Sequence, residues 1–194
     1  LSGDMITELI LPDTVTELDV NTEYLQYINI PSALQDPIMN AKHLKAAYIN
    51  DGTQRIIHQL FWGCTSLSEI RIPDTVTGIS SEAFYGCASL TKIELPEKLV
   101  DLGHSAFYGS GLKSIMLPES ITQLGDETLL GGSVFADCKS LESVVLPEGL
   151  TLLGNGTFAG FDMLKEITLP EGITAIPDNC FHQCIALESV NIPD

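Results

Sequence analysis

The sequence predicts an α/β fold of the solenoid kind. The coil is right-handed, with a parallel sheet on the concave face and short helical or 3₁₀ turns on the other side. Three observations predict it. A strand-like motif ending at proline recurs along the chain, and a phenylalanine recurs between successive motifs. In addition, no single repeat is large enough to bury its own apolar stripe, so the copies must stack.

The strand comes first. ITELILP, LQYINIP, LSEIRIP, LTKIELP, LKSIMLP, LESVVLP, LKEITLP and LESVNIP place apolar residues six, three and one position before Pro12, Pro31, Pro73, Pro96, Pro118, Pro147, Pro170 and Pro193. A ninth copy, LKAAYIN, carries Asn50 in the proline slot, and the steps between slots are 19, 19, 23, 23, 22, 29, 23 and 23 residues. Such stretches are short and β-rich, and they stop where proline cannot donate to a ladder. An acidic residue follows eight of the nine slots (Asp13, Asp51, Asp74, Glu97, Glu119, Glu148, Glu171 and Asp194), then commonly a T-x-I or T-x-L segment as in DTVTGI and EGITAI. Pro-Asp and Pro-Glu suit the opening of a turn. Eleven residues after the slot stand Phe61, Phe84, Phe107, Phe158 and Phe181, and Phe135 takes the same role after a six-residue insertion within Gly125–Val134. Cys64, Cys87, Cys138 and Cys184 follow three residues later, with Ser110 and Phe161 in that slot in two units. The segments SSEAFYGC, GNGTFAGF and PDNCFHQC suit one helical or 3₁₀ turn.

Composition excludes some functions. The 194 residues carry Lys+Arg 9 against Asp+Glu 26, a net charge of −17. Nucleic acid and anionic membrane surfaces both require a basic face. No apolar run reaches the length of about 18 residues that a membrane span needs, so membrane insertion of this segment is not expected, and no signal leader opens the chain. With 44% hydrophobic residues the chain is too apolar for a disordered acidic tail.

The candidate chemistry is sparse. Cys180, His182 and Cys184 are close in sequence, but no second ligand pair lies nearby, and zinc wants four convergent ligands. A buried ladder of reduced cysteines explains their spacing better. His43, His58, His104 and His182 fall in different units, and no G-x-S-x-G or H-E-x-x-H motif is present. No catalytic residue, metal site or cofactor is therefore assigned, and an enzyme is not expected. The acidic column, with like charges about 5 Å apart costing about 0.8 kcal/mol per pair in water, reads as turn chemistry or as a strip for cations or basic partners. The insertion reads equally as a partner contact or a tolerated excursion. Asn155-Gly156-Thr157 matches a glycosylation sequon but is also the repeat turn GNGTF.

Residues four and two before the slot point away from the core. One outward column reads Glu8, Tyr27, Ala46, Glu69, Lys92, Ser114, Ser143, Glu166, Ser189. The other reads Ile10, Asn29, Tyr48, Arg71, Glu94, Met116, Val145, Thr168, Asn191. These columns vary while the core columns do not, as on a scaffold with an adaptable surface. Ile10, Tyr27 and Tyr48 make one apolar spot, Met116 and Val145 another, and Arg71 is placed to pair with Glu94 across strands. Ile10, Tyr27, Tyr48, Arg71, Glu94, Met116 and Val145 are the candidate binding residues.

FWGCTSLSEIRIPDTVTGI and FYGCASLTKIELPEKLVDL resemble the BspA-type bacterial leucine-rich repeat, and the resemblance runs over essentially the whole chain. It implies a leucine-rich-repeat solenoid, residues 1–194 as a single domain of about nine units. Residues 1–60 are divergent short units in which the Phe and Cys slots are lost, and 61–194 are regular units with the insertion at 125–134. It also implies an exported or cell-surface bacterial protein whose activity is adhesion to a protein, such as a host or matrix protein, ahead of a glycan. A structural spacer within a larger surface protein is the alternative. Neither end carries a convincing polar cap, so the chain is expected to be a segment of a longer protein or to pack an end on another molecule, including end-to-end self-association.

Overall fold

The computed structural model describes residues 5–125 and 133–192. Thirteen short strands are found there: β1 (Glu8–Leu9), β2 (Tyr27–Ile30), β3 (Ala46–Ile49), β4 (Arg55–Ile56), β5 (Glu69–Arg71), β6 (Gly78–Ile79), β7 (Asp101–Leu102), β8 (Ser114–Met116), β9 (Gln123–Leu124), β10 (Ser143–Val145), β11 (Leu152–Leu153), β12 (Glu166–Thr168) and β13 (Ser189–Asn191). Every pairing is parallel. The proline-ended motifs form one face, with ladders β1-β2-β3-β5, β8-β10 and β12-β13. The T-x-I segments form a second face, with ladders β4-β6-β7 and β9-β11. The registers follow the expected columns: Tyr27 lies opposite Ala46, Tyr48 between Asn29 and Arg71, Met116 opposite Val145, and Thr168 opposite Asn191.

The two faces join at tight turns. The carbonyl in the proline slot accepts the N–H three residues on, as in Pro73–Val76 (3.1 Å), Pro96–Leu99 (3.0 Å) and Pro118–Ile121 (3.0 Å). The acidic residue, where present, occupies the first inner position of the turn, so turn chemistry accounts for its recurrence.

The third side departs from the expected helical or 3₁₀ turns: no helix forms among the described residues. The N–H groups of Leu60, Trp62 and Cys64 bond back three residues, at 3.3, 3.0 and 3.1 Å. Those of Gln59, Phe61 and Gly63 instead reach Ser81, Ala83 and Tyr85 in the next coil, at 3.2, 2.8 and 2.8 Å. A helix would keep all of them within one segment. The backbone explains the alternation. Residues two before and two after the phenylalanine are left-handed, as in Gln59 (φ 57°) and Gly63 (φ 71°), or Glu82 (φ 58°) and Gly86 (φ 69°). Helices need one sign of φ throughout. The result is a turn ribbon, hydrogen-bonded from coil to coil like the strands. Bulky helices on one side would bend a solenoid toward its sheet; here both sides repeat at hydrogen-bond spacing.

The core runs between the three sides. Phe61, Phe84, Phe107 and Phe135 stack in sequence with ring centroids 5.5, 5.3 and 5.6 Å apart, and Phe158 stacks on Phe181 at 5.5 Å. Phe161, standing in a cysteine slot, meets Phe158 edge-on at 5.9 Å. Phe and Cys are absent before Phe61, as expected, and in the coil just before it their slots hold the buried Ile38 and Ala41. Ile38 N–H bonds Leu60 C=O (2.6 Å) and Asn40, left-handed, bonds Trp62 C=O (2.7 Å), which is the ribbon pattern with smaller side chains. The shorter first coils gain side-chain links instead: Asn29 Nδ2 donates to Leu11 C=O (2.8 Å) and to Asn50 Oδ1 (3.1 Å), and Asn50 Nδ2 donates to Asp13 Oδ1 (2.6 Å). Of the insertion, residues 126–132 lie outside the described residues, as do Pro193 and Asp194.

Candidate functional site

The strand face presents the outward columns to solvent. Ile10 is 71% exposed, Tyr27 41%, Tyr48 38%, Met116 69% and Val145 47%, while the core residues between them are buried or half-buried. Tyr48 donates its hydroxyl to Glu69 Oε1 (3.3 Å), and the Glu69 carboxylate holds the phenol above its ordinary range. Met116 and Val145 are direct neighbours across the β8–β10 pair, as the spacing predicts. The expected Arg71–Glu94 pair does not form. The ladder stops at β5, residues 92–94 form no strand, and the ion pairs among the described residues are Arg55–Asp101 (2.6 Å) and Lys139–Asp137 (3.8 Å). Without ladder register the two side chains are not held opposite each other.

A second interruption opens between β10 and β12. In the coil before, Glu142 N–H bonds Lys113 C=O (2.8 Å) and Leu117 N–H bonds Val145 C=O (3.0 Å). In the coil after, Glu188 N–H bonds Lys165 C=O (2.8 Å) and Leu169 N–H bonds Asn191 C=O (3.0 Å). Between β10 and β12 the corresponding pairs, Lys165 with Glu142 and Leu146 with Thr168, make no such bond. The strands splay into a cleft of about 890 Å³ on the strand face.

The thiols form the buried ladder that the spacing predicts. Cys64 Sγ donates to Ile38 C=O (3.0 Å), Cys87 to Phe61 C=O (3.2 Å), Cys138 to Phe107 C=O (3.1 Å) and Cys184 to Phe158 C=O (3.0 Å). All five cysteines are free. Burial pushes the thiols of Cys64 and Cys180 up to about 12 and that of Cys138 to about 11. A thiol so protonated is a poor nucleophile and a poor metal ligand. Cys180 occupies a different slot, just before the phenylalanine, where other coils place Leu60, Ala83, Ala106, Val134 and Thr157. The histidines sit in separate coils; His58 Nδ1 lies 2.9 Å from Ser81 C=O, and His43 stacks on Tyr24 at 6.4 Å.

One feature of the surface was missed by sequence reasoning. The residues after three of the phenylalanines, Trp62, Tyr85 and Tyr108, stack with centroids 5.7 and 4.6 Å apart along the outside of the ribbon. Tyr108 donates to Asp137 Oδ2 (3.0 Å), which raises its phenol. The signal was the aromatic in the position following Phe61, Phe84 and Phe107.

Comparison with known proteins agrees with this architecture. The model of the BspA type leucine rich repeat region matches residues 37–132 and 128–194, in six copies. A leucine-rich repeat protein from Bacteroides ovatus is 36% identical, with a TM-score of 0.76, over 96% of this chain and 45% of its own. This chain thus spans under half the length of that protein. The leucine-rich repeat protein of T. pallidum (22% identity, TM-score 0.57, 97% of this chain and 70% of its own) shares the fold. So does a leucine-rich repeat protein from Eubacterium ventriosum (16%, 0.53, 96% and 68%). Among curated proteins none matches the sequence. No helix among the described residues is long and apolar enough to cross a membrane. With that model matched over more than half of its length, the chain belongs to the BspA type leucine-rich-repeat family.

Proposed function

We propose that this chain is a non-enzymatic protein-binding module of an exported or cell-surface bacterial protein, binding through its strand face. One observation carries the reading. The outward columns break with the uniform core columns and expose large apolar side chains at Ile10, Tyr27, Tyr48, Met116 and Val145. An exposed tyrosine is a favoured anchor, apolar in its ring and polar at its tip. Arg71 and Glu94, both exposed, add one charge of each sign to the middle of the face. The protonated thiols and the scattered histidines support a scaffold over a catalyst. The bacterial membership of the resemblance supports the surface location.

The test uses the immobilised chain as bait for extracellular-matrix and culture-medium proteins. Tyr27→Ala with Tyr48→Ala should weaken retention of a bound protein by about tenfold, the loss of roughly 1.4 kcal/mol, with the unfolding midpoint unchanged. Equal retention by the double variant favours the alternative, a spacer that projects another part of a larger protein.

A further inference from the structure

We propose that the cleft between β10 and β12 binds an extended, basic segment of a partner protein. The inference rests on the strand face being a binding surface, but concerns a site remote in the stack from Tyr27 and Tyr48. Three observations converge on it.

The first is the backbone. Residues 142–146 and 165–168 present strand edges to each other without the bonds that join their neighbours. β10 and β12 still approach within 8 Å, so a strand added between them must part them to about twice the strand spacing, roughly 9.6 Å, and its main chain then supplies the missing donors and acceptors. An edge of five residues at about 3.3 Å per residue accommodates a peptide of comparable length, roughly 16 Å.

The second is the floor. Val144 and Leu146 line the cleft from one side, and Ile167 and Leu169 from the other. Val144 and Leu146 are only half-buried, although they stand in columns that close fully at Ile115 and Leu117 one coil earlier. The volume of about 890 Å³ is that of a ligand pocket.

The third is charge. Glu142, Glu148, Glu166 and Glu171 stand exposed around the cleft, and none of the lining residues is cationic. None of the four takes part in an ion pair among the described residues. A peptide of alternating lysine and aliphatic residues meets all three features: main chain to the edges, aliphatic side chains to the floor, ammonium groups to the rim.

The probe is a labelled peptide of about seven residues alternating lysine and valine, titrated with the chain by fluorescence anisotropy. Binding should weaken about tenfold in Glu142→Lys with Glu166→Lys, and about tenfold again when alternate peptide nitrogens are methylated, since each lost hydrogen bond is worth about 1 kcal/mol. Glu17→Lys with Glu97→Lys, both outside the cleft lining, changes the net charge equally, yet should leave the affinity within about twofold, which separates the cleft from attraction to an acidic protein at large. All four glutamates are exposed, so circular dichroism should show each variant folded. No binding, equal binding by Glu142→Lys with Glu166→Lys, or indifference to N-methylation would overturn the proposal. Tyr27→Ala with Tyr48→Ala should leave the peptide bound. A peptide that fails to bind while that variant still loses its protein partner would sink the cleft alone and leave the broader function standing.

Discussion

At the scale of single residues, the backbone angles and the thiols set the most exacting conditions. The ribbon sets a left-handed residue two before and two after Phe61, Phe84, Phe107, Phe158 and Phe181. Glycine meets that demand at Gly86, where an added Cβ would find room (the nearest heavy atom is 3.9 Å away) but would sit at φ 69°. Gly86→Ala should therefore destabilise by about 1 kcal/mol through strain alone. Gln183, left-handed at φ 58° and exposed, should respond in the opposite sense: Gln183→Gly should stabilise by about 0.5 kcal/mol, since the relief exceeds the flexibility gained by the unfolded chain. Denaturant midpoints measure both. The thiols make stability depend on alkaline pH. With Cys64 pushed up to about 12 and Cys138 to about 11, the unfolded chain ionises first, near the ordinary value of about 8.5. The folded state then holds the extra protons, so this stabilisation is complete below about pH 8.5 and is lost as pH rises toward 11–12. Each thiol should lower the unfolding free energy by about 1.4 kcal/mol per pH unit within that window. Urea melts between about pH 8 and pH 10 should show the decline, and Cys64→Ala should flatten it.

At the scale of elements, packing and hydrogen bonding contribute unequally from coil to coil. Phe84, fully buried between Phe61 and Phe107, should cost about 3–5 kcal/mol as Phe84→Ala, because rigid neighbours on both sides keep the cavity from collapsing. Leu146 N–H lacks the strand bond that Leu117 and Leu169 make to Val145 and Asn191. Its amide should exchange with deuterium well before theirs, and similar protection at all three would contradict the splayed geometry. These elements were legible to different degrees. The strands and their registers followed from apolar residues at fixed distances from proline, because a side-chain period of two admits few alternatives. The columns through Tyr27, Tyr48, Met116 and Val145 therefore came out in place. The ribbon was misjudged, since SSEAFYGC has the composition of a helical turn while Glu82 and Gly86 adopt the opposite φ, and residue type states that weakly. The filled slots at Ile38 and Ala41 escaped notice because packing asks for volume and apolarity, not for phenylalanine and cysteine by name. Neither interruption of the strand face was visible: the motif around Ile93 reads as well as any, and Val144 differs little from Ile115.

At the scale of the whole molecule, the net charge of −17 lies on a framework with two ion pairs among the described residues. The acidic turns, Asp51, Asp74, Glu97, Glu119, Glu148 and Glu171, line one edge of the stack and are all exposed. Their mutual repulsion is screened within about 10 Å at 0.1 M salt. The melting temperature should accordingly rise between low and moderate sodium chloride, and Glu97→Gln should reduce that dependence. No response to salt would mean that the carboxylates splay far enough apart to ignore one another.

The alternation along the ribbon has one more consequence. Each phenylalanine segment spends half of its N–H groups on itself and half on the following turn of chain, so it makes the same demand of its successor that its predecessor made of it. A gene that slips by one period therefore encodes a longer protein with nothing to renegotiate. Duplicating residues 74–96 in tandem should yield a folded chain with one additional ring in the aromatic column, and lineages could lengthen or shorten such proteins by replication error with little loss of foldability.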